Sequence, residues 1–429
     1  MLYITDFGAK GDGITLNTAA FRQAVEAARD TGETVAVPAG TFLTGTISLD
    51  GVSLYLEAGA VIKASPRLED YPDQDFVHNE MGRLKALIVN LRHDHVSITG
   101  SGTIDLNGRA FYDHSRHAVP DQTKIPLTDE QVKECTWFIG QRPAQCIFFH
   151  ESRDILISGI TILDAPCWTV SISCCEKVRI TGLCIDTDLN TPNDDGIHIS
   201  ACRDVLISDC HISSGDDCIA LSCITDWERP CENVAITNCV LRSCSKAIVI
   251  GYIYSVVRNV LITNCIIRES NRGLCFMCHT ECGMIENVRV SSMLIDTRVR
   301  AGNWWGNGEP LLMMALPHDM HLPSEQKPHR SEPCAIRNIR LTGITCTGEN
   351  AMGIIGLDGN IRDIYLSDID YMRKPANNLP IKGNTFDLSP SGMAAEAPAD
   401  CALRIQGTKE VYWERVNTGG LLILQDENP

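Results

Sequence analysis

The sequence predicts an all-β fold: a single-stranded right-handed parallel β-helix, or solenoid, with an α-helix capping its N-terminal end. A short phrase built around Val or Ile returns along most of the 429 residues. Its hydrophobic anchors are Val96, Ile155, Val178, Val205, Val234, Val260, Val288, Ile339, Ile364 and Val411. From Ile155 to Val288 the steps are 23, 27, 29, 26 and 28 residues, a period typical of stacked units that cannot bury their apolar faces alone. No helical stretch of about a dozen residues separates these anchors, which argues against parallel strands joined by crossover helices.

Each repeat has the pattern of a strand, a turn and a second strand. Segments such as 176–187 and 233–243 alternate β-branched residues with small or polar ones and then break at Asp, Ser, Asn or Gly. The polar residues that follow three of these strands are Asp209, Asn238 and Asn264. They suit a ladder of side chains stacked at successive turns, although each is also an ordinary turn former.

An amphipathic helix over residues 15–32 precedes the repeats. The apolar residues on one of its faces are Phe21, Val25 and Ala28. Asn17 or Thr18 can cap its start, and Gly32 ends it. Because the open end of a solenoid needs a cover, we expect this helix to lie there as a plug.

The chain is expected to form one β-helix domain over residues 1–429, because the core of a solenoid grows lengthwise. The N-terminal strand and capping helix are assigned to about 1–34. Two segments depart from the repeat and are assigned to loop insertions, at about 298–335 and 374–400. The second is rich in Pro, Asn, Gly and Ala, as irregular loops are.

Composition excludes several classes of partner. A formal net charge of −17 and a pI near 5.1 argue against nucleic acid, which needs clustered Lys and Arg. No stretch approaches the roughly 20 apolar residues of a membrane span. No signal peptide is recognised, because Met1 to Ile4 begins a strand at once, and a cytoplasmic location is therefore expected. The expected partner is an oligosaccharide substrate, and a homo-oligomer remains open.

The twenty cysteines lie mostly inside the repeats, where Cys behaves as a small buried hydrophobe. Reduced thiols are expected rather than disulfides. Cys275 and Cys278 have the spacing of a metal-binding pair, but no second well-formed pair faces them. We therefore expect no metal and no cofactor.

Carboxylates concentrate in two turns, at 190–199 and 213–221. Asp195 and Asp216 are 21 residues apart, close to one coil, so stacking brings the two turns within several ångströms. A single Asp-Gly or Gly-Asp pair is an ordinary turn. Two Asp-Asp pairs on neighbouring coils repel each other and drive one pKa up, as general acid and base chemistry on an acetal requires.

The order of these motifs resembles the polygalacturonase family, glycoside hydrolase family 28, among the pectin-lyase-like β-helices. The similarity runs from Thr5–Gly13 through Val35–Leu49 and Leu54–Ile62 to the acidic turns, over roughly three quarters of the chain. In that family an Asn-x-Asp-Gly turn carries one catalytic aspartate, and an Asp-Asp turn follows it. The matching residues here are Asn193, Asp194, Asp195, Gly196, Gly215, Asp216, Asp217 and Cys218.

The resemblance implies roles for these residues. Asp216 would be the general acid, and Asp195 and Asp217 would position and activate the water. Asn193 and Asp194 would contact the substrate. The resemblance also implies inversion of the anomeric configuration, which needs carboxyls roughly 6.5–9.5 Å apart.

Two motifs of the family are missing. The Gly-His-Gly histidine is absent, and Ser245 or Lys246 stands in its place. The Arg-Ile-Lys pair that grips a substrate carboxylate should follow residues 272–274, where Cys275, Phe276 and Met277 stand instead. Because neither Cys nor Met can replace the planar grip of Arg, the leaving-group subsite is not expected to be built for galacturonate.

Lys246 lies 12 residues after its anchor, the offset that Asp217 and Arg272 also have from theirs. These three residues are therefore expected to form a stacked polar column, in which Lys246 and Arg272 contact the substrate. Lys246 could keep an aspartate ionised or bind a substrate carboxylate. The alternative is a solvated surface lysine.

The segment Arg298–Leu312 interrupts the repeat with two adjacent tryptophans among glycines. Aromatic faces are common sugar platforms. Trp304, Trp305, Asn307 and Glu309 are therefore candidate subsite walls, the alternative being a loop packed on the β-helix. Trp168 is a weaker candidate that could be buried, and His198 either contacts sugar or fills its turn.

The leading hypothesis is an exo-acting, inverting α-glycosidase for a short pectin-derived or related oligosaccharide. A β-helix polysaccharide lyase or a sugar transferase is the alternative within enzymes, and an unsaturated product would reveal elimination. A non-catalytic carbohydrate-binding β-helix is the third hypothesis, because the family His, Arg and Lys are absent.

Overall fold

The chain winds into stacked coils whose strands pair in parallel with those of the coils above and below, as a computed structural model shows. The structure describes residues 1–120, 126–279, 281–318, 327–329, 333–375 and 384–426. The predicted right-handed parallel β-helix is confirmed.

One face of the solenoid is a sheet of twelve parallel strands, here called the site sheet. Its strands are Ile47–Ser48, Ile88–Leu91, Gln145–His150, Trp168–Ser173, Ile197–Ser200, Ile219–Ser222, Lys246–Gly251, Arg272–His279, Glu309–Leu316, Met352–Ile355, Cys401–Gln406 and Leu422–Gln425. The sequence predicted two strands in each repeat. The site sheet is built from a third strand of each coil, which the short apolar runs did not reveal.

The other two faces merge into a sheet of 22 strands. The face that carries the anchors has the strands Leu2–Tyr3, Val35–Val37, Leu54–Leu56, Ser97–Gly100, Arg153–Ser158, Glu176–Thr181, Arg203–Ser208, Cys231–Thr237, Val256–Thr263, Met284–Thr297, Ala335–Gly348, Ile361–Arg373 and Val411–Asn417. The remaining face has the strands Asp12–Leu16, Gly40–Thr44, Ala60–Ala64, Thr103–Asp105, Thr161–Leu163, Cys184–Asp186, His211–Ser214, Val240–Ser243 and Ile266–Ser270.

The predicted anchors stack in register along the whole core. Pairing runs without a slip through Ile155, Val178, Val205, Val234, Val260, Val288, Ile339, Ile364 and Val411. Every one of these side chains is buried. Because each coil buries its apolar residues only against its neighbours, the register is strongly specified and carries the polar residues of each turn with it.

Side-chain ladders line the turns, as predicted. Asp209, Asn238 and Asn264 all have positive φ angles, and Asn238 Nδ2 donates to Asp209 Oδ1 at 3.1 Å. A second ladder, within the strands that carry the anchors, was not predicted: Asn259 Nδ2 donates to Asn233 Oδ1 at 3.0 Å. Asn tolerates the left-handed backbone at all these positions and supplies both donor and acceptor to the next coil.

The capping helix spans Thr18–Thr31 and joins the core of the solenoid through its apolar face. Phe21, Val25 and Ala28 are buried, as the periodicity predicted. Asn17 precedes the helix but does not cap it through its side chain, which instead accepts from Lys10 N at 2.7 Å. Gly32 ends the helix in the left-handed conformation.

The remaining helices and hairpins are short. A second α-helix at Asp129–Val132 begins with a capping box, and three 3₁₀ turns span Ile4–Phe7, Leu68–Asp70 and Gly108–Phe111. The antiparallel hairpins pair Val77–His78 with Gly82–Arg83, Tyr112–His117 with Trp137–Ile139, and Thr385–Phe386 with Ala395–Glu396. No helix in the described part of the chain is long and apolar enough to cross a membrane.

Both predicted insertions need correction. The first, 298–335, contains the strand Glu309–Leu316, because its run of apolar residues pairs with the site sheet on both sides. The second, 374–400, contains the hairpin 385–396. Residues 319–326, 330–332 and 376–383 of these two segments lie outside the described residues.

The cysteines occupy the interior, as expected from their place in the repeats. Nineteen of the twenty are buried, and Cys184 is exposed. Cys275 lies beside Arg272 Nη1 at 3.6 Å, whereas Cys278 lies 3.1 Å from Cys334. Within the described ranges, no group of three or more His, Cys, Asp or Glu side chains is placed to hold a metal ion.

Candidate active site

Five polar residues occupy one row across the site sheet. Pairing joins Lys246 to Arg272 and Arg272 to Glu309. Asp195 and Asp217 hold the same place on the two preceding coils, two residues before the paired Ile197 and Ile219. This set, here called the polar row, extends the predicted column of Asp217, Lys246 and Arg272 by one residue at each end. It exists because the apolar anchors keep every coil in the same register.

Carboxyl groups from the two acidic turns meet in one cavity of about 240 Å³, here called the acidic pocket. The residues that line it are Glu80, Thr136, Trp168, Pro192, Asn193, Asp195, His198, Asp216, Asp217, Ala220, Ser222, Ile224, Ser245, Lys246, Val249, Gly251, Tyr252, Asn303, Trp304 and Trp305. Its volume lies just below the 300–1,000 Å³ of most small-molecule sites, so it has room for a small ligand such as one sugar residue.

Asp195 is buried and contacts a histidine. His198 Nδ1 lies 2.8 Å from Asp195 Oδ2, and His198 Nε2 lies 2.8 Å from Ser222 Oγ. Burial lowers the pKa of His198 to about 4, so the ring is neutral near pH 7 and carries a single N–H. Burial, reinforced by the neighbouring Asp216, raises the pKa of Asp195 well above its ordinary value.

Asp217 is paired with Lys246. Lys246 Nζ lies 2.9 Å from Asp217 Oδ1, and the Lys246 backbone N–H donates to the same oxygen at 3.2 Å. Burial raises the pKa of Asp217 to about 8 even though the ammonium opposes the rise. Burial lowers the pKa of Lys246, but Asp217 and Asp216 outweigh it and raise that pKa to about 12. Lys246 is buried, which excludes the solvated surface lysine.

Asp216 lies at the turn itself and is only partly buried. Its backbone N–H donates to Asp194 Oδ1 at 2.8 Å, and its Oδ2 accepts from the backbone N–H of Asn193 at 3.3 Å. Gly215 is required before it, because a Cβ there would collide with the carbonyl oxygen of Thr191. The two turns therefore hold each other in place.

Aromatic side chains form the walls of the acidic pocket. The Trp168 ring stacks on His198 at 4.1 Å between centroids. Trp304 Nε1 donates to the carbonyl oxygen of Glu134 at 2.6 Å, which fixes one edge of the 298–308 loop. Lys246 Nζ lies 4.9 Å from the centre of the Trp305 ring, a cation–π distance. Trp168 is thus buried and also lines the pocket.

Four predicted subsite residues do not reach the acidic pocket. Arg272 and Glu309 are fully buried and pair with each other, with Arg272 Nε 3.2 Å from Glu309 Oε2. Asp194 lies beneath the turn, where it accepts from Thr187 Oγ1 as well as from the Asp216 backbone. Asn307 is also buried, and its Nδ2 donates to Thr385 O at 2.6 Å. These contacts favour positioning roles over the predicted contacts with sugar.

Glu80 and Tyr252 line the acidic pocket and were missed. Glu80 comes from the hairpin at 77–83, and Tyr252 Oη donates to Glu80 Oε1 at 2.8 Å. Neither belongs to a repeat or a motif, so their sequence carried no local signal. Tyr252 directly follows the strand Lys246–Gly251, and only that register could have indicated it.

A larger cavity of about 1170 Å³ lies near the C-terminal end, between residues 345–349, 370–375 and 417–421. It shares no residue with the acidic turns. The smaller pocket is the candidate active site because its buried carboxyls converge and their pKa values are raised by burial and by one another.

The chain is similar to known proteins in sequence and in fold. A probable polygalacturonase of Vitis vinifera is 33% identical over 239 residues, 53% of this chain and 44% of that protein. An exo-poly-alpha-D-galacturonosidase of Dickeya chrysanthemi is 26% identical over 286 residues, 58% of this chain and 47% of that protein. The chain thus spans about half the length of the curated relatives it matches.

The crystal structure of a hyperthermoactive exopolygalacturonase from Thermotoga maritima has the same fold. It superposes with a TM-score of 0.69 at 22% identity, over 98% of this chain and 92% of that one. The sequence model of the glycosyl hydrolases family 28 matches residues 28–297, a span that contains every aspartate of the acidic pocket. Because this match covers more than half of the chain, the chain belongs to glycosyl hydrolases family 28.

Proposed function

We propose that this protein is a glycoside hydrolase that removes terminal sugar residues from a pectin-derived or related oligosaccharide, with inversion at the anomeric carbon. The observation that carries the proposal is the meeting of Asp195, Asp216 and Asp217, from two adjoining coils, in one aromatic-walled pocket. Cleavage of an acetal needs an acid for the departing oxygen and a base for water, and paired carboxyls supply both.

In the proposed reaction Asp216 gives its proton to the glycosidic oxygen as the bond from that oxygen to the anomeric carbon breaks. A water on the opposite face of the sugar attacks the anomeric carbon and loses a proton to Asp217 or Asp195. The Lys246 ammonium favours the ionised form of Asp217, which suits a base. Asp194 and Asn193 keep Asp216 in place through the backbone bonds of the two turns.

Exo action is supported by the segments that close the acidic pocket. The 77–83 hairpin brings Glu80 over the site, and Asn79 Nδ2 donates to the carbonyl oxygen of Ile224 at 2.5 Å. The 298–308 loop is held from the other side, where Glu134 Oε2 accepts from the Ala301 N–H at 2.9 Å. A pocket for one sugar residue accepts the end of a chain more readily than its middle. The name of the Dickeya relative, which denotes exo action, agrees with this proposal.

Elimination is the weaker proposal. A lyase needs a base that removes a proton from carbon, and the acidic pocket's amine is Lys246. Carboxylates raise the pKa of this lysine to about 12 against the effect of burial, so it holds its proton near neutral pH.

The cytoplasm is the proposed location, with short oligosaccharides rather than polymer as the substrate. The twenty thiols suit that reducing setting.

Asp216→Asn tests the proposal. We expect kcat to fall by at least about 100-fold on short oligosaccharides or aryl α-glycosides, because the general acid is lost while its shape is kept. Asp209→Asn is the matched control, since Asp209 is exposed in a coil turn outside the pocket. Proton NMR of the first product should show the inverted anomer. Normal turnover by the Asp216 variant, or a retained anomer, would contradict the proposal.

A further inference from the structure

We propose that the sugar bound in the acidic pocket is a neutral pyranose, such as a hexose, pentose or deoxyhexose, and not a uronate. This inference rests on the proposed function, because it names the sugar class that the same pocket accepts. It differs from what the names of the polygalacturonase relatives suggest, and it follows from how the cations and carboxyls of the polar row are paired.

The polar row contains two cations, and the protein's own groups occupy both. Lys246 Nζ contacts Asp217 Oδ1 at 2.9 Å and Ser245 Oγ at 3.0 Å, and its remaining side faces the Trp305 ring. Arg272 is fully buried and contacts Glu309 and the carbonyl oxygen of Asp387. Neither cation therefore offers a substrate carboxylate the two-point grip that such a group requires.

The rest of the acidic pocket offers no substitute. Among the described lining residues Lys246 is the one cation, whereas Glu80, Asp195, Asp216 and Asp217 are all carboxyl groups. His198 is neutral near pH 7, because burial lowers its pKa to about 4. Asp217 already occupies that one ammonium. A uronate would bring a negative charge into this confined space without a cation to pair with it, and such burial is strongly unfavourable.

A neutral sugar finds suitable partners in the same pocket. The rings of Trp304 and Trp305 and the side chain of Val249 present apolar surface to the C–H faces of a pyranose. Glu80, held by Tyr252 at 2.8 Å, can accept hydroxyl hydrogens, as can carboxyl oxygens of the turns. The walls of the acidic pocket therefore match the hydroxyl groups and the apolar ring faces of a neutral sugar.

Binding and turnover test the inference separately. The panel contains p-nitrophenyl α-D-galactoside, α-L-rhamnoside and α-D-xyloside, with p-nitrophenyl α-D-galacturonide as the charged counterpart of the galactoside. Binding to the Asp216→Asn variant is followed by tryptophan fluorescence, since Trp168, Trp304 and Trp305 line the pocket. We expect the best neutral glycoside to bind at least about 100-fold more tightly than the galacturonide.

The outcomes of this experiment are distinct. Equal or tighter binding of the galacturonide overturns the inference, and so does a lack of binding by every neutral member. If a neutral glycoside binds but the wild-type protein does not hydrolyse it, the inference stands and the proposed hydrolysis fails.

Glu80→Gln gives an independent check, because it removes one carboxylate from the mouth of the acidic pocket and keeps its shape. The preference for the neutral sugar should fall by about tenfold, the effect of one nearby charge. Glu26→Gln is the matched control, an exposed position on the capping helix that should leave the preference unchanged. Glu80→Arg should shift the preference further toward the galacturonide. An unchanged preference in both Glu80 variants would overturn the inference.

Discussion

Lys246 illustrates how far single residues can be interpreted from sequence. Its offset from Val234 placed it correctly in a column with Asp217 and Arg272. The choice between an ion-paired lysine and a solvated one depended on the 298–308 loop, because Trp305 of that loop covers the ammonium. That loop follows Lys246 by more than fifty residues and has no repeat pattern, so its position could not be predicted.

Lys246→Met should shift the acidic limb of the pH–activity profile to higher pH. The ammonium lowers the pKa of Asp217, so its loss raises a pKa that already lies near 8. An opposite charge at this distance is worth about 1–3 pH units. The measurement is kcat/KM against pH on an aryl α-glycoside. Lys133→Met is the control, because Lys133 is an exposed lysine directly after the short helix Asp129–Val132. An acidic limb that stays in place would mean that Asp217 is not the ionised base.

The salt bridge between Arg272 and Glu309 joins three segments that are distant in sequence. The Glu309 carboxylate accepts hydrogen bonds from the backbone N–H groups of Asn307 at 2.7 Å and Asp387 at 3.0 Å. Arg272 donates to the carbonyl oxygen of Asp387. The strand that begins at Arg272 thereby fixes both the 298–308 loop and the 385–396 hairpin. Its role is to support one wall of the pocket from behind.

Arg272→Met should destabilise the fold by about 3–5 kcal/mol, because it leaves the Glu309 carboxylate buried and unpaired. Thermal unfolding of the variant measures the loss. The double variant Arg272→Met, Glu309→Gln should recover most of it, since Gln keeps the acceptor and carries no charge. If Arg272 instead gripped the substrate, the melting temperature would stay the same and KM would rise.

The strands that carry apolar anchors were predicted because their side chains repeat in each coil. The strands of the site sheet were not, because residues such as Ile197–Ser200 form runs of only four and lie between acidic turns. The acidic turns themselves were recognised from their motif, and the structure brings them together. Glu80 and Tyr252 were missed because hairpins and strand ends have no period. The repeat in the sequence therefore predicts the coils, whereas the loops that close the pocket cannot be predicted from it.

Three buried aspartates make the stability of the protein depend on pH. Burial raises the pKa of Asp194, Asp195 and Asp217, the last to about 8. The unfolded chain releases these protons near pH 3.9, whereas the folded protein retains them, so stability is lost as pH rises through the folded pKa values. His198 and His78 act oppositely: burial lowers their pKa values to about 4 and about 3, and stability is lost as pH falls below about 6.5.

Between about pH 6.5 and pH 8 the folded protein retains the proton of Asp217, so the free energy of unfolding should decrease as pH rises in this window. Each retained proton contributes a slope of about 1.4 kcal/mol per pH unit. Urea unfolding at both ends of the window measures the change. Asp217→Asn should reduce the slope by one proton, since Asp217 is the carboxyl whose pKa burial raises to about 8. An equal slope in that variant would refute the assignment of Asp217.

The polar row makes recognition and folding depend on one alignment of the coils. The backbone crosses the row once per coil, at Asp195, Asp217, Lys246, Arg272 and Glu309. The first three line the acidic pocket, whereas the last two pair with each other beneath it. Inserting or deleting one residue within such a strand would turn its row residue to the opposite face, so changes of chain length are best tolerated in the loops between coils.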